Sequence, residues 1–193
     1  MRKIIVINHV TLDCVMQGPG HPDEDRRGNF SHGGWATARS NEAIGAKMGE
    51  RMGREHTFLF GHRSYAGILE AWNRLGGPFK DALNNTPKYV ASRSAATKLD
   101  WPNSTLLHGD IPAAVAELRE QPGGNLVIMG SGELIGALLA ADLIDEWVLM
   151  IHPLILGTGR RLFRDGGALT ALQLVENTTT DTGVILATYG RGS

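Results

Sequence analysis

A single cysteine in 193 residues, Cys14, leaves no intrachain disulfide, no paired Cys-x-x-Cys zinc site and no redox dithiol. A reducing cytoplasmic compartment is the default expectation. Charge of either sign is not in excess: 19 Lys and Arg against 20 Asp and Glu give a formal net charge of -1, which argues against nucleic acid as a partner. No stretch approaches the ~18 consecutive apolar residues of a membrane span, because the run from Trp147 to Leu156 is short and interrupted by His152 and Pro153. The apolar start is broken by Asn8 and His9, too early for a signal-peptide core, and reads as a first strand. His9, His32, His56, His108 and His152 share no ligand spacing on any one element. They are expected to be scattered surface or hydrogen-bonded histidines, and no metal is expected.

What is present is alternation. The length suits one domain over residues 1–193. Ile4 to Val10 reads as a buried strand, followed by a Gly-, Pro- and charge-rich loop from Gln17 to Gly34 that is long for a compact domain. From Asn41 to Arg54 the spacing of Ile44, Met48 and Met52 predicts a surface helix. "TFLFG", "KYVAS", "STLLH" and "NLVIM" read as strands, and Ser64 to Trp72 and Glu133 to Ala141 as helices. "GDIPAAVAELRE" predicts a helix with Asp110 as N-cap and Pro112 in its first turn. Glu146 to His152 is a further strand, and the C-terminus alternates around Asp181 to Gly183 like an antiparallel hairpin. The pattern predicts a mostly parallel sheet covered by helices on both faces, with an antiparallel edge.

Three expected strand ends finish on small residues before the chain turns: "FLFGHRSY", "YVASRSA" and "VIMGSGEL". In an open parallel sheet the ligand crevice lies at such C-terminal ends. Gly130 and Gly132 there either cradle a pyrophosphate below a helix N-terminus or simply permit a tight turn. His62 with Arg63 and Ser92 with Arg93 pair hydroxyl or imidazole with guanidinium, a combination suited to a phosphate monoester, though each arginine can equally be a solvated surface residue. Neither G-x-G-x-x-G nor G-x-x-x-x-G-K-[ST] occurs, so neither a standard dinucleotide fingerprint nor a Walker loop supplies the template.

The run "GSGELIGALLAADLIDEWVLMIHPLILGTGRRLF" resembles the reductase domain of the bifunctional deaminase-reductase of riboflavin biosynthesis, within the dihydrofolate-reductase-like superfamily. "VTLDC", "GHRSY" and "YVASR" are similar to that family's first-strand, second-strand and third-strand turns. The resemblance covers nearly the whole chain and implies a three-layer α/β/α fold with a mostly parallel mixed sheet and an antiparallel C-terminal hairpin. It further implies NADPH as cofactor and a small heterocyclic substrate, with a ribosylaminopyrimidine phosphate as the leading candidate. Carried over by resemblance, Gly130, Ser131, Gly132, Glu133 and Leu134 hold the cofactor pyrophosphate. Gly61, His62, Arg63 and Ser64 form its second phosphate turn, and Ser92 and Arg93 take the 2′-phosphate side. Asp13 matches the aspartate beside the nicotinamide, expected either to relay a proton or to cap its turn. Trp35 is expected on the substrate or in the core. In "LILGTGRRLF" Gly157 and Gly159, with Arg160 or Arg161, are expected at a substrate phosphate or a dimer contact, unless the arginines belong to a solvated loop.

The departures are Cys14, where the family has glycine, and His62, where it has arginine. The stretch "WATARS" supplies no acid just after Trp35, which disfavours folate, and the zinc-binding deaminase half is absent. These departures motivate an alternative, a nucleotide-binding regulatory module without turnover; a reductase of another small carbonyl or pterin-like substrate is a further one. The resemblance also implies a homodimer.

Overall fold

The computed structural model describes residues 1–53, 55–167 and 169–192. In chain order the elements are β1 (Ile4–Thr11), α1 (Glu42–Met52), β2 (His56–Gly61), α2 (His62–Leu75), α3 (Pro78–Asn85), β3 (Lys88–Ala91), β4 (Ser104–Leu107), α4 (Ile111–Glu120), β5 (Asn125–Met129), α5 (Gly132–Ala140), β6 (Glu146–His152), β7 (Leu172–Thr179) and β8 (Ile185–Arg191). The eight strands make a mixed sheet, parallel apart from the antiparallel pairings of β6, β8 and β7. This is the three-layer α/β/α class that the alternation predicts. The expected end of α1 at Arg54 lies outside the described residues.

The chain folds as two compact units, Met1–Ile5 with Met52–Ile144, and Val6–Arg51 with Asp145–Ser193. In the first unit β4, β3, β2 and β5 lie side by side, all parallel. Such strands are covered on both faces, which is why they read as continuous apolar runs: Phe58, Leu59, Phe60, Leu126, Val127 and Ile128 are all fully buried. The helix over α4 starts as expected, with the Asp110 carboxylate accepting from the Ala113 amide at 3.1 Å and Pro112 in the first turn. Helix α3 is the element that periodicity did not show, since eight residues of mixed polarity give a weak repeat. Its C-terminus is closed from outside the helix. The buried Lys88 ammonium donates to the carbonyls of Leu83 at 2.5 Å, Asn84 at 3.3 Å and Thr86 at 2.6 Å. A cation is favoured at that helix end, while burial pulls its pKa down to about 8.

In the second unit β8 pairs antiparallel with both β6 and β7, with a register shift between Leu174 and Glu176. Strand β6 is buried along most of its length, whereas β7 is largely exposed. Helix α1 is tied to these strands by ion pairs: Lys47 reaches Glu176, and Arg51 reaches Glu176 at 2.6 Å and Glu146 at 3.7 Å. The long loop is not loose. Its Phe30 is buried with Val15, Trp35 and Ala36, and Leu154 and Leu156 pack against this cluster.

Candidate functional site

In the first unit the strand ends carry the candidate anion cradle. Strand β2 passes directly into α2 at Gly61, and β5 into α5 through Gly130 and Ser131. Both of those residues are left-handed, Gly130 with φ 67° and Ser131 with φ 67°. That conformation is cheap for glycine and costly for serine, and it aims the Ser131 hydroxyl at the Gly61 amide, which donates to it at 2.8 Å. The two turns are thereby fastened to each other. A side chain at Gly130 would meet the Ser64 hydroxyl at 3.2 Å, so Gly130 serves a close approach, whereas one at Gly61 would only make ordinary contact with Ser131 at 3.5 Å. Neither α2 nor α5 is capped by a side chain at its N-terminus. Uncapped helix starts present N–H groups and the positive end of the dipole to an anion.

The basic residues expected at these turns lie in the open. His62 and Arg63 are exposed in the first turn of α2, with the His62 ring stacked on Tyr65 at 6.5 Å. The Ser92 hydroxyl shares a 2.6 Å hydrogen bond with Thr97. Arg93 is 93% exposed and pairs with Glu133 at 3.0 Å, which joins two residues expected to meet the same ligand. Gly132 and Leu134 lie at the start of α5, Leu134 buried beneath it.

The second unit gathers Asp13, Trp35, Gly157 and Gly159. Asp13 is a latch. Its carboxylate accepts from the Thr11 hydroxyl at 2.6 Å and from the amides of Leu156 at 3.2 Å and Gly157 at 2.9 Å, fixing the loop after β6 to the end of β1. The Thr11 hydroxyl bond, together with these amides, holds the carboxyl below its ordinary range. It is therefore an anion and an acceptor at neutral pH, with a weak hold on any proton it would relay. Its bonds also reach much farther than the local turn cap expected from the sequence. The following residue, Cys14, has φ 62°. The turn thus keeps the left-handed geometry for which glycine is suited, now on a residue that adopts it at a cost.

Trp35 is only 8% exposed and its indole N–H donates to the Gln17 carbonyl at 2.7 Å, which puts it in the buried cluster of the long loop. Gly159 has φ 110°, and a side chain there would sit 2.7 Å from Phe30 and 2.8 Å from Val15. Its glycine is a packing requirement. Gln17 stitches the rest of the loop: its amide donates to the carbonyls of Asp25 and Arg27, and its oxygen accepts from the Arg160 amide at 2.9 Å.

Two residues missed as a site are His9 and His152, whose rings meet at 2.9 Å between Nδ1 and Nε2. They are 143 positions apart, and only their paired strands bring them together; no spacing rule finds such a pair. Among the described residues no group of three or more His, Cys, Asp or Glu could hold a metal ion, and no helix is long and apolar enough to cross a membrane.

Parallel strands ending on glycine turns beneath uncapped helices, together with an antiparallel three-stranded edge, mark an α/β protein with the dihydrofolate-reductase-like fold. The chain belongs to the RibD C-terminal domain family, whose model matches residues 2–186. It is 32% identical over 143 residues to the uncharacterized protein YyaP of Bacillus subtilis (strain 168), covering 69% of this chain and 72% of that protein. A shorter match, 33% over 70 residues, joins it to the uncharacterized protein YwjB of the same organism, covering 36% of this chain and 40% of that one. Among solved structures, a Shewanella sp. PV-4 protein described as belonging to riboflavin biosynthesis superposes with a TM-score of 0.71 at 20% identity, covering 99% of both chains. A pyrimidine reductase-like protein of Corynebacterium diphtheriae gives 0.66 at 12% identity, covering 100% of this chain and 92% of that one. Dihydrofolate reductase from Enterococcus faecalis, complexed with NADP(H) and RAB-propyl, gives 0.63 at 13%, covering 99% and 97%. These structural likenesses establish the fold, and the family with its reductase-like neighbours supports an oxidoreductase.

Proposed function

We propose that the protein is an NADPH-dependent reductase that delivers hydride to a small heterocyclic substrate, with a 5-amino-6-(ribosylamino)pyrimidine phosphate as the first candidate. The observation that carries this reading is the pair of glycine turns at the ends of β2 and β5, fastened through Ser131 and Gly61 beneath two helix starts without side-chain caps. Ser131 to Leu134 and His62 to Ser64 would hold the pyrophosphate through backbone N–H groups at the two helix starts, with Gly130 and Gly61 at the turns that lead into them. Ser92 and Arg93 would take the 2′-phosphate. When bound, NADPH supplies the hydride. In the second unit Asp13 orders the loop at Leu156 and Gly157 and would place a carboxylate beside the substrate, to hold it or to relay a proton. The exposed Leu172, Leu174 and Val175 of β7 are the surface we assign to a homodimer contact.

The reading is tested by following NADPH absorbance with the ribosylaminopyrimidine phosphate, dihydrofolate and simple aldehydes. Substrate-dependent oxidation with the pyrimidine fastest is the expected result. Tight NADPH binding with no oxidation by any of them would instead mark a regulatory module.

A further inference from the structure

We propose that His9 is a hydrogen-bond donor to a keto oxygen of the heterocyclic substrate, held in its Nε2–H tautomer by the buried His152. The geometry begins with proton counting. His9 Nδ1 and His152 Nε2 lie 2.9 Å apart, and only one hydrogen fits between them. His152 is fully buried and its Nδ1 has no hydrogen-bond partner among the described residues.

Burial holds both imidazoles neutral, with pKa values of about 3 for His9 and about 4 for His152, so each ring carries one N–H. If His9 donated, His152 would have to bury its own N–H on Nδ1 with nothing to receive it. If His152 donates through Nε2, the buried Nδ1 carries only a lone pair. Orphaned buried N–H groups are the rarer defect, which favours the second arrangement. His9 Nδ1 is then the acceptor, and its single hydrogen sits on Nε2.

The rest of the pair is rigid. Trp35 packs edge-on against the His152 ring, with centroids 5.1 Å apart at 89°, and is itself pinned to the Gln17 carbonyl. His9 keeps partial exposure, and its Nε2 is not among the buried unpartnered atoms. It lies on the same face of β1 as Thr11 by strand alternation, and Thr11 holds the Asp13 carboxylate. An oriented, uncharged N–H suits a keto oxygen. A phosphate would instead select a cation such as a guanidinium.

The assignment of the ligand rests on the reductase reading, but the tautomer does not. Imidazole nitrogen NMR of the ligand-free protein near neutral pH is expected to show His9 and His152 both protonated on Nε2. Diaminouracil is then titrated as the probe, with and without NADPH. The His9 Nε2 signal should shift, and His9→Phe should weaken probe affinity about five- to tenfold, the range of one neutral hydrogen bond, with NADPH affinity unchanged. His152→Leu should weaken the probe similarly, and His152→Gln, which restores an N–H donor toward His9, should recover most of the loss. A His9 protonated on Nδ1, an unshifted His9 Nε2 signal on titration, or equal probe affinity in His9→Phe overturns the proposal. Failure to bind NADPH with the tautomer as expected would overturn the cofactor reading instead.

Discussion

The two units solve the same problem, ending a strand and turning the chain, by opposite means. In the first, the ends of β2 and β5 turn on glycine and one serine hydroxyl, and the charged side chains nearby, Arg63 and Arg93, project into solvent. In the second, the loops are closed by side chains that reach far along the sequence: Asp13 to Leu156 and Gly157, Gln17 to Arg160, Trp35 to Gln17. The difference teaches where each unit keeps its polar groups. The first ends its strands on uncapped helix starts and exposed cations, and the second uses its carboxylate and carboxamide to hold its own framework.

Among substitutions, the comparison is broken most severely at Gly159. Alanine there is strained by its positive φ and collides with Phe30 and Val15, and overpacking together with backbone strain costs roughly 2–4 kcal/mol. Chemical denaturation should show the loss as a lowered midpoint. Arg93→Ala in the first unit should leave that midpoint unchanged, since its side chain meets only Glu133 in open solvent. A comparable fall in both variants would erase the distinction between framework and ligand groups.

Acid provides an effect at least as large, and it belongs to the second unit. His9 and His152 have folded pKa values of about 3 and about 4, lowered chiefly by burial, against 6.5 in the unfolded chain. The unfolded state therefore binds more protons over this window, so stability is present above about pH 6.5 and falls as pH drops toward 4. Each titrating ring contributes a slope of up to about 1.4 kcal/mol per pH unit. Denaturation midpoints measured across that range should fall, and the slope should flatten in a His9→Gln, His152→Gln double variant.

The smallest effect is a gain. Cys14 occupies a left-handed position, and Cys14→Gly should stabilise by about 1 kcal/mol by relieving that conformation. An unchanged or lower melting temperature would show that the thiol packs well enough to offset the strain.

The same contrast decides what could be read from the chain alone. Alternating apolar runs gave away the sheet and the antiparallel hairpin, and Asp110 with Pro112 marked the start of α4, because these signals are local. Gly130 and Cys14 were visible as well: one as a glycine turn, the other as a departure from glycine, and both prove to have positive φ. The contacts of Trp35 and Asp13 were not legible, because each reaches residues distant in the chain. The bonds of Asp13 span more than 140 residues, and a carboxylate can cap, latch or relay with the same letter in the sequence. The His9–His152 pair and the burial of Lys88 depend wholly on tertiary packing. Arg93 and Glu133 were both assigned to the cofactor, but that they pair with each other was not legible, since they lie on separate turns.

The proposed reading puts NADPH at the strand-end turns of the first unit, with Arg93 on its 2′-phosphate. Calorimetric titration of the wild type and Arg93→Ala with NADPH and NADH tests it directly. The wild type is expected to prefer NADPH by about tenfold or more, as a charge-assisted contact implies, and Arg93→Ala should lose most of that preference while binding NADH as before. Equal wild-type affinities for the two cofactors, or a preference that survives the loss of Arg93, would contradict it.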